Sequence, residues 1–152
     1  MKGLLRTGLA LMLAITLLTL GTGYALATDR LVDEKAEIDL MVPKMHVDTG
    51  ATGDAELILR IDADGMLKLF RATADAEGLI PGYTYSFWVG HTFIASGMAD
   101  DNGSISFDAT LDSFGYDTLL GLKVKIVQGI DPMGMKVLVG KVMELDESVL
   151  DK

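Results

Sequence analysis

Ala55-Glu56-Leu57-Ile58-Leu59-Arg60-Ile61-Asp62-Ala63-Asp64-Gly65-Met66 decides the fold. Side chains alternate between the two faces of an extended chain. Ala55, Leu57, Leu59 and Ile61 therefore share one side, and Glu56, Ile58, Arg60 and Asp62 the other. The pattern predicts a half-buried strand with a mostly polar outer face. Asp62-Ala63-Asp64-Gly65 then turns the chain, since an Asp-Gly pair tolerates the backbone angles a tight hairpin needs. Met66 to Ala74 is expected to return as the partner strand.

The same grammar continues downstream. Asp75-Ala76-Glu77-Gly78 and Pro81-Gly82 are expected turns. Tyr83-Thr84-Tyr85-Ser86-Phe87-Trp88-Val89 is the most strand-like stretch, with Tyr83, Tyr85, Phe87 and Val89 on one face and Trp88 on the other. Thr92 to Ala99 is a short strand after Gly90-His91. Asp100-Asp101-Asn102-Gly103 is a second hairpin turn. Ile105, Phe107, Ala109 and Leu111 line one face of the next strand, and Leu122, Val124 and Ile126 that of another. Asp131-Pro132-Met133-Gly134 precedes a last strand from about Lys136 to Leu145. Asp112 to Leu120 is expected to hold one short turn of helix. Upstream, residues 28–51 read as a polar lead-in whose Ile38–Val42 forms a first edge strand, with Pro43 suited to its end. Seven or eight short strands with turns at intervals of roughly 8–12 residues argue an antiparallel sandwich or barrel, and an all-β antiparallel sandwich is expected over residues 52–146. A polar tail, 147–152, follows.

The first 27 residues read differently. Lys2 and Arg6 are the only charges before Asp29; an apolar run, Leu9–Leu20, follows, then Gly21, Gly23 and Ala25-Leu26-Ala27. A basic start, an apolar middle and a small-x-small end make a secretory signal peptide, with cleavage expected after Ala27. The alternative is an N-terminal membrane anchor, since the uncharged stretch Thr7–Thr28 is just long enough to cross a bilayer of roughly 30 Å. The expected location is the periplasm or the extracellular space, with no membrane span after cleavage.

Beyond the leader, 11 Lys and Arg stand against 22 Asp and Glu, a formal charge of −11. That charge disfavours nucleic acid and anionic lipid at close range. There is no cysteine, which removes thiol catalysis, thiolate metal sites and disulfide staples. The domain must hold together by packing.

Two local stretches resemble a known architecture. Gly78-Leu79-Ile80-Pro81-Gly82-Tyr83-Thr84-Tyr85 and Ala99-Asp100-Asp101-Asn102-Gly103-Ser104-Ile105-Ser106-Phe107 are similar to the strand approach and hairpin of immunoglobulin-like, fibronectin-type and carboxypeptidase-regulatory-like (transthyretin-like) modules. The resemblance covers about thirty residues of turn chemistry. It implies a sandwich fold and carries over no catalytic residue.

Candidate chemistry is sparse. Asp62, Asp64, Asp100 and Asp101, with Asn102, offer the hard oxygens that calcium takes in sets of six to eight. Counting Asp62 as the first position of an EF-hand-type loop, the twelfth is Thr73, not a carboxylate. Aspartate and glycine are also ordinary turn residues. Met45, His46, Met133 and Met135 offer thioether and imidazole groups suited to copper(I), although methionine also fills irregular gaps in cores. With two histidines and no Gly-x-Ser-x-Gly elbow, no hydrolase triad is apparent. Nor is there a phosphate-cradling glycine loop. Trp88 is a candidate contact residue if the tyrosines of its strand face inward; the alternative is a strand buried on both sides. The expected function is a non-enzymatic, exported module for binding or for cell-envelope structure, with no cofactor and a protein or glycan partner. The alternative is a periplasmic or extracellular copper- or calcium-binding protein.

Overall fold

A computed structural model describes residues 32–44 and 50–146. The expected signal peptide and the tail 147–152 lie outside the described residues, as do Met45 and His46. Eight strands follow one another: β1 Val32–Leu40, β2 Thr52–Ile61, β3 Leu67–Glu77, β4 Thr84–Val89, β5 Thr92–Met98, β6 Ile105–Leu111, β7 Lys123–Gln128 and β8 Lys136–Lys141. They form two four-stranded sheets, β1-β2-β3-β6 and β5-β4-β7-β8. All pairings are antiparallel. The fold is an all-β sandwich.

Its core follows from the alternation. Leu57 and Leu59 of β2, Phe70 and Ala72 of β3, Phe87 and Val89 of β4 and Val124 and Ile126 of β7 are all fully buried between the sheets. Phe87 and Phe107 stack across the layers with centroids 5.6 Å apart. No buried side-chain N or O lacks a hydrogen-bond partner among the described residues, so the interior avoids the cost of a stranded polar group.

Four sequence expectations need correction. The charged run before Ile38 is not irregular: β1 begins at Val32 and pairs with β2 throughout. Lys35 bridges Glu37 and Glu56 of the outer face at 3.0 and 2.8 Å, and Arg60 meets Asp33. Outward charges on an edge strand imitate a loop when read one residue at a time. The second correction is at 75–78, where the alternation runs on through buried Ala76 and β3 ends only at Glu77. The chain turns at Gly78, whose φ of 70° is left-handed. The third is at 112–120, which holds no helix. That segment is pinned from outside: Phe114 stacks on Phe70 at 3.6 Å, and the Glu34 carboxylate accepts the Thr118 hydroxyl and the Leu119 amide. The fourth is the last strand, which ends at Lys141; Val142 remains buried beyond it.

The sheets meet at a seam. Past Leu40, the Met41 amide and carbonyl exchange hydrogen bonds with Val139 of β8 at 2.9 and 2.8 Å. Gly140 permits this crossing. A Cβ there would lie 2.5 Å from Ile38 Cγ2 and 2.9 Å from the Asp39 carbonyl oxygen.

Candidate functional site

The outer face of β5-β4-β7-β8 carries a second, smaller apolar cluster. Trp88 is opposite Phe93 of β5 and Lys125 of β7 in register. Phe93 meets the indole edge-on at 5.3 Å, and the Lys125 ammonium sits 5.5 Å from the ring centroid. The Trp88 indole N–H donates to Ser86 Oγ at 2.9 Å, and that hydroxyl donates to the Gly129 carbonyl at 2.6 Å. Lys125 Nζ donates to the Pro132 carbonyl at 3.1 Å. The β7–β8 hairpin thus folds back over its own sheet and closes off Ser86 and Val127, both 0% exposed. Burial, and then the Lys136 charge, hold the Lys125 ammonium below its ordinary pKa.

Trp88 is consequently 8% exposed, although Tyr85 and Phe87 face inward. The expectation that inward tyrosines would leave Trp88 as a contact surface is corrected: β4 is buried on both sides. Phe93, at 43%, is the exposed aromatic of this face. Tyr83, placed by its parity with Tyr85, precedes the strand and is half exposed.

The aspartate turns are built alike. Asp62 Oδ1 accepts the amides of Asp64 and Met66 at 3.1 and 2.8 Å. Asp100 Oδ1 accepts those of Asn102 and Ser104 at 2.9 and 2.8 Å. Asp131 Oδ1 accepts the Met133 amide at 2.8 Å. Lys68, and next the Met66 amide, keep the Asp62 carboxyl below the usual carboxylate range. The structure does not bring the proposed calcium ligands together. Asp62 and Asp64 precede Leu67, at the start of β3; Asp100 and Asp101 precede Ile105, which pairs with Ala76 near its end. Nine residues at ~3.3 Å each separate those positions, about 30 Å. Among the described residues no three His, Asp or Glu side chains are placed to hold a metal.

Met133 and Met135 sit on the β7–β8 hairpin, 88% and 50% exposed. Met135 lines a small apolar cleft of about 50 Å³ together with Val42, Leu79 and Tyr85. Val42 stands three residues before Met45, but Met45 and His46 lie outside the described residues, so the copper set is placed only in half. His91 is on the exposed β4–β5 turn, where its amide donates to the Tyr116 hydroxyl oxygen at 3.0 Å.

Two wider clefts open at opposite ends. One, about 360 Å³, is lined by Leu40, Met41, Pro43, Lys44 and Thr52. The other, about 400 Å³, is lined by Ile61, Leu67, Phe114, Tyr116 and Asp117. Neither gathers a histidine, a serine and a carboxylate. No helix among the described residues is long and apolar enough to cross a membrane. No protein-family model matches the chain, and no curated protein matches it in sequence.

Sequence reading missed the distribution of charge. β4, β5, β7 and β8 contain no Asp or Glu and four lysines, Lys123, Lys125, Lys136 and Lys141. All the strand-borne acids are in the other sheet. The signal is in the sequence, but only once the strands are sorted into sheets.

Proposed function

We propose that this chain is an exported, non-enzymatic β-sandwich module that works by binding or as a structural part of the cell envelope. The observation that carries the proposal is where the reactive groups are engaged. The Asp62, Asp100 and Asp131 carboxylates hold turns. The Tyr85 hydroxyl accepts the Ile80 amide, and Glu34 holds the 118–119 backbone. What remains uncommitted is broad surface. Export rests on the basic start, apolar run and Ala25-Leu26-Ala27 of the leader. The test has two arms. Fractionation of a producing cell should find the chain outside the cytoplasm with Thr28 as its first residue. A panel of hydrolase substrates should give no turnover with the purified exported form; robust turnover removes the proposal.

A second reading, copper(I) handling, is favoured by the exposed pair Met133 and Met135 on one hairpin, with Met135 lining a cleft shared with Val42. Calorimetric titration with copper(I) decides it. Affinity tighter than micromolar, lost in a Met133→Leu, Met135→Leu variant, supports it; weaker binding rejects it.

A further inference from the structure

Each outer face carries a patch of like charge without ion pairs among the described residues, acidic on one sheet and basic on the other. On the β1-β2-β3-β6 face, Asp39 is directly opposite Asp54, and Asp54 is directly opposite Asp75. Glu77, two residues beyond Asp75 on the same face, extends the row; all four are exposed. Asp75 accepts the Ser106 hydroxyl, yet none of the four has a cationic partner among the described residues. The ion pairs of this face lie further along it, at Lys35, Arg60 and Arg71. On the β5-β4-β7-β8 face, Lys123 is directly opposite Lys141. Lys125 feels the charge of Lys136. No carboxylate pairs with any of these four lysines among the described residues. Like charges directly opposite on neighbouring strands destabilise a sheet. The chain bears that cost twice, with opposite sign.

We infer that these faces dock on each other between copies of the chain, the acidic row of one molecule lying against the lysine face of the next. One chain carries both halves of the complementarity, and this favours a second copy over a foreign partner. Strand spacing is about 4.8 Å in any sheet, so rows of carboxylates and rows of lysines match in period. Exposed Phe93 adds an apolar anchor beside the lysines. The contact is heterologous, since each copy offers a different face. It therefore propagates into open chains rather than closing as a two-fold dimer. Four strands of about six residues give a face of about 400 Å². The total of about 800 Å² is below that of a stable complex, so the association is weak. The inference deepens the binding reading by naming its partner; it fails on mass, whereas that reading fails on turnover.

Salt supplies the test. The exported form, with 11 Lys and Arg against 22 Asp and Glu, carries −11, so copies repel at long range. At ~0.01 M salt the screening length is ~30 Å and this repulsion dominates; at ~0.1 M it is ~10 Å, and facing charges still attract; at ~1 M it is ~3 Å, and the attraction is lost. Sedimentation equilibrium of the exported form, produced from the full chain, should give a concentration-dependent rise in mass at ~0.1 M. That rise should vanish at both salt extremes. Lys123→Glu with Lys141→Glu should stay monomeric, as should Asp39→Lys with Asp54→Lys. An equimolar mixture of the two variants should associate, because each altered face then meets its complement. Wild-type protein that is monomeric at every salt concentration overturns the inference. So does association that persists at ~1 M salt, or an inert mixture of variants that retain native sheet circular dichroism. Retention on an anionic polymer without self-association overturns it as well.

Discussion

At the scale of single residues, carboxylates in this protein do structural work. Asp100 accepts two amides of its own turn, much as a capping side chain does. Asp100→Ala should cost about 1 kcal/mol, up to about 3 if an amide is left buried, measured by urea unfolding; Asp100→Asn should cost less. Asp62 adds a pH signature. Its folded pKa lies below the ordinary value of 3.8. Its stabilising contribution is therefore complete above that value and is lost as pH falls through the lower, folded one. The stability gap between wild type and Asp62→Asn should narrow in acid below about pH 4 and stay constant from there to neutrality. Tyr85→Phe removes the acceptor of the Ile80 amide and should cost about 1–3 kcal/mol.

Elements show what the sequence could and could not convey. Alternation identified the inward faces of β2, β6 and β7 because it depends only on neighbours in the chain. It carried no information on what covers the outward face. Trp88 is hidden by Phe93 and by a hairpin some forty residues further on, a contact beyond the reach of periodicity. Glu34 and Phe70 pin the irregular 112–120 segment from other strands, so the local expectation of a helical turn failed for the same reason. The two aspartate turns were legible as turns, but their separation to opposite ends depended on strand pairing. The hairpin methionines Met133 and Met135 are exposed, where residue type alone also allowed core packing, and Met45 and His46 lie outside the described residues. Two measurements belong here. Trp88 is the only tryptophan; its emission should be blue-shifted and poorly quenched by iodide in the folded protein, whereas a red, readily quenched spectrum would mean an open face. Gly140→Ala places a methyl against Ile38 and the β1 backbone. It should lower stability by about 1–3 kcal/mol in thermal unfolding.

For the whole molecule, a cysteine-free sandwich holds its sheets by packing, with β1 joining both at Met41. The proposed self-association rests on its faces: one bears a row of acids, and the other bears four lysines, one of them over a covered tryptophan. The most direct measurement of that account is a dilution series of amide chemical shifts at ~0.1 M and ~1 M salt. The expected result is concentration-dependent shifts at ~0.1 M salt around Asp39, Asp54 and Asp75 on one face and Lys123, Lys125 and Lys141 on the other, all absent at ~1 M. Shifts confined to the clefts or the hairpin tips, or none at any concentration, would contradict it.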